Sequence, residues 1–116
     1  MKFMITFNHI EGVWESLSYE DRERHSGSLT DFMKKLKKEK NTELVFVSPP
    51  QETRTVRKLP SGDIEILEGP AISGPEMLGG YYIIDADSIE EAIDWAKKGR
   101  WLPGSNEVRQ ISTLDL

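Results

Sequence analysis

The sequence predicts an α+β fold, and three features carry that reading. The stretch 79–111 runs as strand, amphipathic helix, strand; an apolar strand opens the chain almost at its first residue; and β-rich runs bounded by turn residues fill the middle. Hydrophobic residues make up 37% and charged residues 30% of the 116, an ordinary composition for one globular domain spanning 1–116 with a modest core.

The first strand, 2–7, places Phe3, Ile5, Phe7 and His9 on one face and Met4, Thr6 and Asn8 on the other. A loop with Gly12 and Trp14 leads to Ser18, a helix N-cap with Asp21 three residues on. Leu29, Phe32, Met33 and Leu36 then recur at helical spacing. Ser26-Gly27-Ser28 interrupts them, because glycine inside a helix costs about 1 kcal/mol, and Ser28 with Asp31 has the form of a second cap. One kinked helix and two separate pieces both satisfy this pattern. The run 43–48 is a strand stopped by Pro49-Pro50. Runs 53–59 and 64–67 flank Pro60-Ser61-Gly62-Asp63 and read as a hairpin. After a Gly/Pro loop over 68–75, Gly79-Gly80 opens the strand 81–86. Ser88 caps the next helix, with Glu91 in the capping-box position and Ile89, Ala92, Ile93 and Ala96 as its apolar stripe. Lys97 and Lys98 suit the negative end of the helix dipole, Gly99 stops the helix, and 107–112 is the last strand.

That order is the ferredoxin-like sandwich with a β-hairpin inserted in its middle. The strand faces add a further expectation. Tyr81 and Ile83 oppose Tyr82 and Ile84, and Leu44 and Phe46 oppose Val45 and Val47, so both faces of the sheet are apolar. Two helices cover only one face, and the other would be a larger apolar patch than soluble monomers tolerate. A homodimer through the sheet face is therefore expected.

Composition excludes several kinds of chemistry. A net charge of -5 argues against a nucleic-acid or anionic-membrane surface, which needs concentrated Lys and Arg. The five lysines within 34–40 read as a solvated helix face and C-terminal turn. Without cysteine there is no disulfide, thiolate zinc site, iron–sulfur cluster or Cys nucleophile. No apolar run approaches the roughly 20 residues of a membrane span, and the N-terminus is too short and strand-like for a signal peptide, so a cytoplasmic location is expected. No cofactor motif is present: Gly79-Gly80 lacks phosphate-loop spacing and precedes a strand.

His9 and His25 are the two histidines. The helix after Ser18 should return beside the first strand, and seven helical residues rise only about 10 Å, which brings the imidazoles toward one another. Histidine exchanges protons near neutral pH, so one could serve as base while the other, or Asp85 at the exit of its strand, orients it. The competing reading is that each caps or hydrogen-bonds nearby backbone. No His-x-x-x-His spacing exists, and no metal site is expected. Glu68 and Pro70 read either as a turn after a strand or as the rim of a pocket closed by a dimer. Tyr82 and Tyr81 point to opposite faces, one beneath the helices and the other toward a dimer cleft. Trp14, Trp95 and Trp101 read as core or rim packing, and Arg54 and Arg57 as exposed strand charges.

Several segments resemble the YCII-related family, in particular its branch named for an Asp-Gly-Pro-Phe (DGPF) signature. They include the opening Met-Lys-Phe-Met-Ile, Leu17-Ser18-Tyr19-Glu20-Asp21-Arg22, and Thr53-Arg54-Thr55-Val56-Arg57. The fullest likenesses are Glu76-Met77-Leu78-Gly79-Gly80-Tyr81-Tyr82-Ile83-Ile84 and Ile89-Glu90-Glu91-Ala92-Ile93-Asp94-Trp95-Ala96. Glu68-Gly69-Pro70-Ala71 stands where the signature would be and departs from it at Glu68 and Ala71. The resemblance implies a ferredoxin-like domain that dimerises through its sheets in the dimeric α/β-barrel manner. Its YciI-like branch pairs an Asp at the end of the first strand with a His in the first helix, for which a catalytic role has been suggested. Here His25 takes the helix position, but His9 stands where the Asp would be. Some relatives are encoded beside transcription sigma factors, which implies a regulatory context. Two functions are thus expected to compete: a dimeric module binding a small molecule or regulating a partner, and a small-molecule enzyme using acid–base chemistry at His25 and His9. The broken His–Asp pair favours the first.

Overall fold

In the computed structural model, which describes residues 1–112, helices and antiparallel strands form an α+β architecture. In chain order the elements are β1 (Lys2–Ile10), α1 (Val13–Ser16), α2 (Tyr19–Lys40), β2 (Val45–Phe46), a 3-10 turn (Pro50–Glu52), β3 (Arg54–Lys58), β4 (Ile64–Glu68), β5 (Glu76–Asp85), α3 (Ile89–Lys98), β6 (Gly104–Ser105) and β7 (Val108–Gln110). The main sheet has the order β2-β5-β1-β6, with β7 also pairing β1, and every pairing is antiparallel. Among the described residues the sheet is open and closes no barrel. β3 and β4 form a separate two-stranded sheet, in register from Arg54 opposite Glu68 to Lys58 opposite Ile64.

Ser26-Gly27-Ser28 does not divide the first helix. α2 runs unbroken over 22 residues, and Gly27 is exposed on it. A glycine there weakens the helix without breaking it, because helices in proteins are held chiefly by packing of their apolar face. The Ser18 hydroxyl accepts from the Asp21 N–H at 3.1 Å, and Asn41 ends the helix in the left-handed conformation with φ 51°. α3 begins as its sequence suggests: Ser88 Oγ accepts from the Glu91 N–H at 3.2 Å, and the Glu91 carboxylate reaches back to the Asp87 N–H at 2.7 Å. Lys40 Nζ, from the end of α2, bonds the same carboxylate at 2.9 Å. The Asp87 N–H and this ammonium hold the Glu91 carboxyl below the usual carboxylate range.

The strands depart from expectation at their ends. β1 continues to Ile10, because β5 and β6 both supply partners beyond Phe7. β5 begins at Glu76, so Gly79-Gly80 lies inside the strand and does not open it. Register shifts there: Phe7 faces Gly80 and Asn8 faces Leu78, leaving Gly79 as the extra residue of a β-bulge. β2 shrinks to two residues at the sheet edge, and the last strand to 108–110.

The core lies between one face of the sheet and the two long helices. Phe3, Ile5, Tyr82 and Ile84 meet Phe32 and Leu36 of α2 and Ala92, Trp95 and Ala96 of α3, all buried. The phenol of Tyr82 has no protein partner among the described residues, and burial pushes its pKa up. The other face is uncovered: Leu78 is 48% and Ile83 37% exposed, alongside the exposed Val45. The β3–β4 hairpin stands apart, with Val56 at 70% and Ile66 at 74% exposure. It extends the molecule to a radius of gyration of 16.6 Å, against roughly 13 Å for a compact domain of this length.

Candidate functional site

The site lies on the helix-covered side of the sheet, beyond the last well-packed layer of the core. The C-terminal half of α2 seals that layer with Phe32 and Leu36. Its N-terminal half presents His25, Ser26 and Leu29, which do not fill the space above the sheet. The floor beneath them is short of side chains, since it includes Gly79 and Gly80, and Gly99 contributes to a side wall. The result is a cavity of about 400 Å³. β1 supplies Phe7 and His9; the segment around β2 supplies Leu44, Phe46 and Val47; and the chain after α3 supplies Arg100, Trp101 and Leu102. Trp14, which α1 carries, stands at the rim. A second cavity of about 330 Å³ adjoins it and shares His9, Trp14 and Arg100.

His9 and His25 thus line one cavity. His25 is half-buried on α2, and His9 is exposed at the end of β1. The bulge explains where the His9 ring sits. It lies across Gly79, so close that a Cβ built there would stand 2.7 Å from Nδ1. Gly79→Ala is therefore expected to displace the His9 ring while changing stability by less than about 1 kcal/mol, because the obstructing group is the end of a movable side chain. In NMR spectra the His9 ring resonances should shift and those of His25 should hold. Unchanged His9 resonances would contradict the placement.

Other sequence candidates are not brought together with the histidines. Asp85 pairs with Lys2 at the opposite end of the β1–β5 ladder, their side chains 3.2 Å apart, whereas His9 faces Met77. Seven strand steps separate Lys2 from His9, about 23 Å at strand rise, so Asp85 does not orient the His9 imidazole, and it does not line the cavity that His25 shares. The Tyr82 ring packs in the core against Phe7 and Phe32, with centroids 5.9 and 5.8 Å away, and does not line the cavity. Glu68 and Pro70 lie at the base of the hairpin. There the Gly69 N–H donates to the Thr53 carbonyl and the Thr55 hydroxyl to the Gly69 carbonyl, both at 2.8 Å. Gly69 has φ 94°, a left-handed conformation that favours glycine. These contacts account for Glu68-Gly69-Pro70 as the turn by which the chain leaves β4 at the open end of the hairpin, and neither Glu68 nor Pro70 lines the cavity.

Arg100 also lines the cavity, and the sequence alone did not single it out. Its Nη1 donates to the Asn8 carbonyl at 3.0 Å and the Ser105 carbonyl at 2.9 Å, and the guanidinium lies 5.7 Å from the Phe7 ring centroid. Nε is enclosed with no protein acceptor among the described residues. Burial lowers the Arg100 pKa, and the Glu76 carboxylate offsets this only in part. In sequence Arg100 is one more basic residue after a helix C-terminus; only the return of β6 alongside β1 reveals its two carbonyl partners. Trp101 beside it stacks edge-on to Phe32, with centroids 5.8 Å apart, and links the cavity wall to the core.

Among the described residues no group of three or more His, Asp or Glu side chains is placed to hold a metal ion, and no helix is long and apolar enough to cross a membrane. The cavity offers chemistry of another kind. Apolar and aromatic walls surround two imidazoles and a fixed guanidinium, which suits an organic molecule better than a bare ion.

Fold and site define a small α+β domain with an apolar, histidine-lined cavity beside its sheet. The family model of the YCII-related domain matches residues 1–114, and the chain belongs to that family. No curated protein matches the chain.

Proposed function

We propose that this YCII-related domain binds a small molecule in the cavity between β1, α2 and the segment after α3, and works as a homodimer in a regulatory setting. The observation that carries the binding reading is the cavity itself. At about 400 Å³ it falls within the roughly 300–1,000 Å³ of small-molecule sites, and it has their usual mixture of apolar walls and a few convergent polar groups. Two helices on one face of a sheet ordered β2-β5-β1-β7 support a ferredoxin-like sandwich, with β3–β4 as the inserted hairpin. The uncovered face with Val45, Leu78 and Ile83, together with the unpacked hairpin, supports pairing of two copies through their sheets as in a dimeric α/β barrel. The DGPF branch is the nearer affiliation on the wording of 78–84 and 90–96, although Glu68 and Ala71 depart from its signature. Within a dimer, Glu68 and Pro70 would reach a ligand only across the interface. A cytoplasmic location suits a chain without cysteine.

Sedimentation of the full chain tests the assembly. A dimer is expected at micromolar concentration, and Ile83→Lys with Leu78→Lys, both on the uncovered face, should give a folded monomer. A stable, soluble wild-type monomer would sink the dimer. A thermal-shift screen of small organic molecules tests binding, since a ligand of the folded state raises the melting temperature.

A second reading rests on one observation, the presence of His9 and His25 in the same cavity. There the domain is an acid–base enzyme, with His25 as the main proton carrier and His9 as its partner. If so, His25→Gln abolishes turnover of a compound found in the screen while leaving its binding within a few fold. Turnover that survives the substitution excludes His25 from proton transfer.

A further inference from the structure

We infer that the ligand of this cavity is a small organic anion with an apolar, ring-sized body, its charged end held at Arg100 and its body between the aromatic walls. The inference rests on reading the cavity as a binding site and adds the class of ligand. It begins from an imbalance of charge. The chain has 20 acidic residues against 15 Lys and Arg, yet among the described residues no Asp or Glu lines the cavity; its ionisable residues there are His9, His25 and Arg100. An acidic protein has thus kept carboxylates away from one apolar hollow and put a guanidinium and two imidazoles there.

Arg100 is held in place, the Glu76 carboxylate offsets its charge only in part, and among the described residues no carboxylate bonds it directly. Two backbone carbonyls fix Nη1, the Phe7 ring lies against the guanidinium, and neither contact supplies a negative charge. A half-buried cation whose charge is offset only in part is electrostatically costly, and an anion arriving from solvent relieves that cost while gaining charge-assisted hydrogen bonds. Nη1 is spent on the two carbonyls and Nε is enclosed, so a carboxylate would meet Nη2 of a guanidinium whose position is set before the ligand arrives, and little side-chain entropy is lost on binding. The remaining walls choose the body. Phe46, Trp14, Trp101 and Leu29 offer flat and branched apolar surface, which an inorganic anion cannot use and an aryl or alicyclic group can.

The test is a calorimetric and NMR titration of the full wild-type chain with benzoate, phenylacetate and 3-phenylpropionate, each against its neutral carboxamide, and with inorganic phosphate. At least one carboxylate is expected to bind about tenfold or more tightly than its amide, the margin of a charge-assisted over a neutral hydrogen bond. It should perturb resonances of Arg100, Trp101 and His25, and phosphate alone should not bind. Arg100→Gln should erase the acid–amide difference and Arg100→Lys should keep part of it. The acid–amide comparison in the unaltered chain holds even if loss of the Asn8 and Ser105 contacts unfolds the Gln variant. Equal binding of acid and amide at the cavity would overturn the anionic class and leave the binding site standing. Phosphate binding as tightly as the carboxylates would overturn the apolar body. If none of these compounds perturbs the cavity while the thermal-shift screen yields a neutral ligand there, the anion is wrong; if both fail, the cavity is not a site.

Discussion

Phe32→Ala is expected to destabilise the domain by about 3–5 kcal/mol, the usual cost of removing a buried phenylalanine ring. In a domain with a total stability of about 5–15 kcal/mol, that leaves the folded state marginal. Phe32 is buried on α2, where its ring meets Tyr82 at 5.8 Å, Trp95 at 6.3 Å and Trp101 at 5.8 Å. It therefore joins sheet, second helix and cavity wall through one side chain. Packing around it is tight, because a Cβ built on Gly99 would come within 2.8 Å of the ring. Truncation leaves a void bounded by other large rings, which cannot collapse into it without leaving their own partners. Trp101 also loses its support, so ligand affinity should fall together with stability. Urea denaturation measures the first effect: a large fall in the midpoint is expected with the slope unchanged. A cost below about 1 kcal/mol would mean that the ring is not a joint of the core.

Gly80→Ala should cost about 1–3 kcal/mol by the opposite route, adding an atom where none fits. Gly80 is buried in the centre of β5, and a Cβ built on it would collide with the carbonyl of Val45 in the neighbouring strand. That obstacle is backbone and cannot swing aside. β2 has only two paired residues, continued by the Val47 N–H bond to the Gly79 carbonyl at 3.0 Å. The cheapest response is for β2 to detach, which takes Leu44 from the core and Phe46 and Val47 from the cavity wall. Hydrogen exchange should show the amide at Val47 losing protection while those in the β1–β5 ladder keep theirs. Protection retained at Val47 would contradict so close an approach of the two strands.

The elements were legible where the sequence carries a local signal. Ser88 with Glu91, followed by apolar residues at helical spacing and Gly99, specifies α3 with no outside help, and the structure has the same cap and stop. β1 and the β3–β4 hairpin were likewise written in alternation and turn residues. The misreadings arose where tertiary contacts decide. Gly79-Gly80 has the composition of a strand boundary, but partners on both sides draw it into β5 as a bulge. Ser26-Gly27-Ser28 left one kinked helix and two pieces open, and the packing of Phe32 and Leu36 carries α2 through it as one helix.

The candidate site was legible only in part. Helical rise and strand direction brought His9 and His25 toward one another, and both line the cavity. Asp85 was placed by its position at a strand exit, without knowing which end of the ladder that exit occupies; the β1–β5 register puts it beside Lys2. Tyr82 could have faced either way, and it packs beneath the helices with Phe32. Arg100 gave no signal, because its partners Asn8 and Ser105 are brought to it by the sheet, the first from the far end of the chain.

A crystallographic fragment screen on the wild-type protein tests the cavity as a ligand site most directly. Bound fragments are expected between α2 and the segment after α3, in contact with His25 and Trp101, with acidic fragments turned toward Arg100. Fragments that gather elsewhere on the molecule, with this cavity left empty across the screen, would contradict the assignment.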